Sequence, residues 1–164
     1  MNILISFLIT SGIILSSPDS RLNVEINSTS ASNICYTVTY DGNTVILPSK
    51  LGILTNNADY TVLEYIEHKQ EIIDVEYRLD RIKKSRVRKE ATVATVSFRN
   101  PQGRRIDVEW HISDNDIAFR YKLPFENGTG SVRVMEEKTY FDFPEGTSCY
   151  LTPQSDPMVG WKRT

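Results

Sequence analysis

Three side chains able to do acid–base or metal chemistry stand two residues apart: Asp107, Glu109 and His111. That spacing puts all three on one face of an extended strand, and carboxylates beside an imidazole are the raw material of general acid–base catalysis. The residues between them, Ile106, Val108, Trp110 and Ile112, mark the other face as core. The polar side of a half-buried strand is ordinarily just hydrated, and that reading is preferred here. With only 2 histidines, His68 and His111, the chain cannot build a multi-histidine zinc centre, and no metal ligand set is assigned. Neither a glycine-rich phosphate loop nor a G-x-S-x-G nucleophile elbow occurs. The basic run Arg78, Arg81, Lys83, Lys84, Arg86, Arg88 and Lys89 has the charge to meet phosphates. It holds no aromatic stacking partner, however, and the net charge of the chain is −2. A solvated loop or a charged sheet edge explains it better, and no nucleic-acid partner is expected. Trp161 is the aromatic residue best placed to stack on a pyranose face, which is apolar. It lies in a stretch, Thr152 to Thr164, without period-two order, where anchoring a loop is the competing role.

The elements that must position these residues read as strands. Leu22, Val24 and Ile26 alternate, as do Ile34, Tyr36, Val38 and Tyr40. The second run ends at Asp41-Gly42 and turns into Thr44 to Leu47, a strong hairpin signal; Pro48-Ser49 then breaks the pattern. Arg104 to Ile112 is the clearest strand, between turns at Asn100-Pro101-Gln102-Gly103 and Ser113-Asp114-Asn115-Asp116. Ile117, Phe119, Tyr121 and Leu123 form the next strand. Val132 and Val134 open another, and Thr139, Phe141 and Phe143 follow at period two. Between Tyr60 and Lys84 the alternation of Ile73, Val75, Tyr77 and Leu79 predicts strands with a loop near His68 to Glu71. Short strands joined by turns predict an all-β antiparallel sandwich rather than a βαβ fold.

The composition, 40% hydrophobic and 24% charged over 164 residues, is that of one globular domain. A chain of this size buries roughly two-thirds of its unfolded surface without help from a metal or a disulfide. Cys35 and Cys149 read as free thiols, although export would allow them to pair. Ile3 to Leu15 is apolar and uncharged, and shorter than the ~20 residues a bilayer span needs. It reads as a secretory signal peptide over residues 1–17, with a sandwich domain over 18–164 and a periplasmic or otherwise exported destination. A buried apolar strand is the competing reading. No cysteine closes the apolar run, so no lipid anchor is expected.

Several pieces in order resemble a known family. They are Ser17-Pro18-Asp19-Ser20-Arg21-Leu22, Tyr36-Thr37-Val38-Thr39-Tyr40-Asp41-Gly42, Pro48-Ser49 with Leu51-Gly52, and Asp114-Asn115-Asp116-Ile117-Ala118-Phe119-Arg120-Tyr121. Glu136-Glu137-Lys138-Thr139-Tyr140-Phe141, Tyr150-Leu151-Thr152-Pro153-Gln154-Ser155 and Gly160-Trp161 follow. Together they resemble the N-terminal domain of glycoside hydrolase family 97, bacterial α-glucosidases and α-galactosidases. The resemblance implies a sandwich of the galactose-mutarotase-like kind, packed on a (β/α)-barrel that carries the catalytic carboxylates. It also implies a calcium ion in the parent enzyme's active site, with one glutamate ligand lent by the N-terminal domain beyond Thr164, and α-linked glucosides or galactosides as substrates.

On this reading the chain alone is inactive, holds no cofactor, and is incomplete at its C-terminal end. Gln154 and Trp161 are the candidates for the substrate rim. Asp116, Arg120 and Glu137 are candidates for the domain interface or a structural role, with Arg120 expected to pair with Asp116 or Glu137. A stand-alone carbohydrate-binding module is the alternative; an aldose mutarotase-like enzyme ranks last because it rests on fold analogy.

Overall fold

Alternation of apolar and polar residues dictates the architecture. The computed structural model describes residues 12–28, 33–79, 86–123 and 131–148. In order come β1 (Ile13–Ser16), β2 (Leu22–Ser28), β3 (Ile34–Tyr40), β4 (Asn43–Lys50) and β5 (Ile53–Thr55). Then follow β6 (Glu64–Arg78), β7 (Arg86–Arg99), β8 (Arg105–Ile112), β9 (Ile117–Lys122) and β10 (Val134–Glu137). One antiparallel sheet has the order β1-β2-β3-β4, a second β6-β7-β8-β9, and β10 pairs with β5 in a small ribbon. Among the described residues no helix is long and apolar enough to cross a membrane.

The two four-stranded sheets face each other across one core. Leu15, Leu22, Val24, Ile26, Ile34, Tyr36 and Val38 of the first meet Ala94, Val96, Phe98, Ile106, Val108, Trp110 and Ile112 of the second. Trp110 is fully buried, with its ring centroid 5.5 Å from Tyr36 and 4.7 Å from Phe119. This is the antiparallel sandwich that the sequence predicts.

Three local features differ from the sequence reading. Pro48 does not end its strand: β4 runs through it to Lys50. Leu47 and Pro48 together oppose Thr37, because Tyr36 pairs with Ser49 and Val38 with Ile46. This bulge on the outermost strand of its sheet tolerates a residue without an N–H. No loop interrupts His68 to Glu71 either, since β6 pairs with β7 from Glu64 to Arg78 and the only irregularity lies between Tyr65 and Glu67. The segment around Thr139, Phe141 and Phe143 is extended but forms no strand. It is tied by Lys138 N to Gly52 O, Tyr140 N to Lys50 O, and Leu47 N to Asp142 O.

The stretch read as a leader includes a strand of the sheet. Ile13–Ser16 is β1, in register with β2 from Ile13↔Ile26 to Ser16↔Asn23, and Leu15 is fully buried. Removing residues 1–17 would therefore take a strand from the sheet and a side chain from the core.

The Asp41-Gly42 hairpin forms as a two-residue turn in which both residues have positive φ, 49° and 78°. That is the geometry that suits the twist of the flanking strands.

Candidate functional site

The polar face of β8 is the natural place to look for chemistry, and its centre is Glu109. Register sets Thr95 of β7 on one side of Glu109 and Arg120 of β9 on the other. The Arg120 guanidinium donates from Nε to Glu109 Oε1 at 2.7 Å and from Nη2 at 2.5 Å. Lys122 donates from Nζ to the other oxygen, Oε2. His111 Nε2 lies 3.4 Å from Oε1. Glu109 is only 7% exposed although it sits on the outward face. The Lys122 ammonium holds its carboxyl down at about 2, with Arg120 and His111 adding to the effect against the opposing pull of burial.

A carboxylate held this way is ionised at every working pH and has both oxygens occupied. It can neither deliver nor accept a proton as a general acid or base poised near neutrality would. The cluster is a clamp between β8 and β9. It opens onto a shallow groove of about 410 Å³ lined by Glu67, Lys69, Glu71, Thr95, Ser97 and Arg105 among others. Among the described residues no aromatic side chain lines this groove, so they offer no stacking platform for a sugar ring there.

Arg120 therefore pairs with Glu109, and the expected partnership with Asp116 or Glu137 does not form. The reason is register. Glu109 is the direct cross-strand neighbour of Arg120. Asp116 precedes β9 and closes the turn through its carbonyl, which accepts from Ser113 N. Glu137 sits on β10 opposite Ile53, in another sheet. Asp116 instead lines a hollow of about 810 Å³ at one end of the sandwich, together with Asp19, Arg21, Tyr77, Arg88 and Asp114. Gln154, Trp161 and Cys149 lie outside the described residues. Cys35 is a free, buried thiol, and burial pushes its pKa up.

Sequence reasoning missed two positions. One is Glu109 as the hub of the cluster: its neighbours belong to the next strand, and only the strand register brings them together. The other is Tyr121, whose hydroxyl accepts from Gly52 N at 3.0 Å and meets Thr139 Oγ1 at 2.8 Å. Tyr121 thereby ties β9 to the loop before β5 and to the segment after β10. The alternation of Phe119 and Tyr121 placed the ring toward the core, but nothing local announced the hydroxyl's partners.

The basic run is also resolved in part. Arg88 makes a bidentate pair with Asp74, at 2.8 and 2.7 Å, and Arg86 reaches Glu76 at 2.8 Å. These cations are matched within the β6–β7 hairpin, as expected for a charged sheet surface. Arg81, Lys83 and Lys84 lie outside the described residues. No group of three or more potential metal ligands occurs among the described residues.

The fold and its clamped carboxylate thus define an antiparallel sandwich whose polar face does structural work. Comparison with known proteins places it more closely. Residues 15–162 match the glycosyl-hydrolase 97 N-terminal family, and the chain belongs to that family. It is 31% identical over 138 residues to a probable retaining α-galactosidase of Streptomyces bingchenggensis, covering 83% of this chain and 20% of that protein. The crystal structure of a β-arabinopyranosidase superposes with a TM-score of 0.83 at 42% identity, over 92% of this chain and 24% of the other. A glycoside hydrolase family 97 enzyme from Pseudoalteromonas sp. strain K8, in complex with panose, shares the fold at TM-score 0.72 and 23% identity, over 81% and 20%. The chain thus spans about a fifth to a quarter of the length of these relatives.

Proposed function

We propose that this chain is the non-catalytic N-terminal sandwich domain of an exported glycoside hydrolase, which supports and rims the active site of a catalytic (β/α)-barrel. The observation that carries this reading is the coverage. Most of this chain matches relatives named as glycosidases, yet it accounts for only 20% and 24% of their length. The clamped Glu109 agrees with a structural role, since glycoside hydrolysis ordinarily needs two carboxyl groups free to act across a scissile bond. Substrates of the whole protein would be α-linked glucosides or galactosides; β-arabinopyranosides join them on the strength of the 42% identical relative. Gln154 and Trp161 are proposed for the substrate rim, and calcium is proposed for the catalytic portion. Export is proposed with a leader that ends before Ile13, because β1 belongs to the folded domain.

The test is an assay of the 164-residue chain beside the whole protein on aryl α-glucoside, α-galactoside and β-arabinopyranoside. We expect hydrolysis by the whole protein, abolished by a calcium chelator, and none by the chain alone. Turnover by the chain alone would overturn the reading. A stand-alone sugar-binding module would show itself as oligosaccharide affinity of the chain by titration calorimetry, lost in Trp161→Ala.

A further inference from the structure

The hollow at one end of the sandwich gathers residues from distant parts of the chain. Asp19 and Arg21, between β1 and β2, form one side, and the turn at 113–116, between β8 and β9, forms another. Arg88 and Glu90 of β7 line it as well, and Tyr40 of β3 and Tyr77 of β6 are its aromatic residues. Two of the segments that carry the family resemblance meet here, where Asp19 N donates to Asp114 Oδ1 at 3.1 Å.

The walls are braced from within. Ser17 Oγ donates to Asp19 Oδ1 at 2.6 Å, and Arg21 N donates to the same oxygen at 3.0 Å. The Arg21 guanidinium grips Asp41 from Nε at 2.8 Å and from Nη2 at 2.5 Å, and lies 4.8 Å from the centre of the Tyr40 ring. Ser113 N donates to Asp116 O at 2.9 Å and closes the turn. A site held in shape before its ligand arrives loses little to ordering when it binds.

What this bracing leaves over is hydrogen-bonding capacity. The side chains of Ser113, Asn115 and Asp116 line the hollow and pair with no other described residue. They supply a hydroxyl that donates and accepts, an amide with two donors and an acceptor, and a carboxylate that only accepts. The guanidinium groups are already engaged, Arg21 with Asp41 and Arg88 with Asp74 and Glu90, so they recruit no anion. No group of three or more potential metal ligands occurs among the described residues, which argues against a cation. A neutral molecule rich in hydroxyls matches what remains, since each hydroxyl can donate to a carboxylate and accept from an amide. The volume of about 810 Å³ falls within the range of small-molecule sites.

We propose that this hollow binds a short neutral saccharide, with Asp114, Asn115 and Asp116 reading its hydroxyls beside the Arg21–Tyr40 pair. The class of ligand rests on the glycosidase reading above, whereas the position rests on the hollow alone and does not involve Trp161.

The test titrates the isotope-labelled 164-residue chain with maltotriose and with melibiose, and follows its amide resonances by nuclear magnetic resonance. The expected result is a saturable shift centred on residues 113–116 and on Arg21, with a dissociation constant on the order of 1 mM for at least one of the two sugars. Asn115→Ala and Asp116→Ala, both in an exposed turn, should keep the dispersion of the wild-type spectrum and weaken binding at least about tenfold. Trp161→Ala should leave the affinity unchanged. No saturable shift with either sugar, shifts centred elsewhere, or undiminished affinity in both turn variants would overturn the proposal. Shifts at 113–116 with calcium chloride and with neither sugar would make the hollow a cation site and overturn it too. A whole protein that hydrolyses glycosides, from a chain whose hollow takes no sugar, removes this inference alone. A hollow that binds sugar in a protein that hydrolyses no glycoside removes the proposed function and leaves the saccharide site standing.

Discussion

Replacing Glu109 by Gln keeps the shape of the side chain and removes its charge, leaving Arg120 and Lys122 facing each other across a neutral amide. The carboxyl titrates at about 2 in the folded chain against 4.5 for an unperturbed glutamate. Taken at face value this difference is worth at most about 3–4 kcal/mol. Water screens part of it, because Arg120 is 66% and Lys122 44% exposed, so about 1–2 kcal/mol is the realistic expectation at pH 7. The sign follows from the depressed pKa. The stabilisation is complete above the unfolded value near 4.5 and is lost as the pH falls through the folded value near 2. Urea unfolding of the wild-type chain and Glu109→Gln should therefore differ by about 1–2 kcal/mol from pH 7 down to about 5. The gap should close progressively between pH 4.5 and 2. Comparing the two proteins at each pH cancels the other carboxylates, which titrate in both. A difference that stays constant down to pH 2, or a variant more stable than wild type at pH 7, would refute the account of Glu109 as an ionised clamp.

Two further outcomes follow from the packing. Trp110 is buried and its indole N–H has no partner among the described residues, so Trp110→Phe should cost less than about 1.5 kcal/mol, while Trp110→Ala should cost about 3–5 kcal/mol. Equal losses for the two in thermal melts would contradict this. On the proposal of export, amino-terminal sequencing of the mature protein should find its first residue no later than Ile13, and a mature protein beginning at Pro18 would mean that β1 is dispensable.

Strand identity was legible in the sequence wherever one face is core and the other is wet. Ile106 to Ile112 and Leu22 to Ile26 announce themselves because the period of two is a local property of the chain. The Asp41-Gly42 turn was legible for the same reason, since positive φ at both residues is a demand on those two residues alone. The course of β6 was not: Glu64 to Arg78 has the composition of a broken element, and it is continuous because β7 supplies a partner along its whole length. Pro48 reads locally as a strand end, and only its place within a bulge on the outermost strand keeps β4 intact.

Resemblance of motifs pointed to the family, and the match over residues 15–162 bears that out. What sequence alone determined is thus the class of fold, the turns and the membership. The tertiary structure decided which charges meet: Arg120 found Glu109 rather than Asp116 or Glu137, and the Tyr121 hydroxyl found Gly52 and Thr139. It also placed Leu15 in the core. The physical reason is common to these cases. Periodicity is written within a strand, whereas register, edge position and burial are properties of the pair, and no residue carries its partner's number.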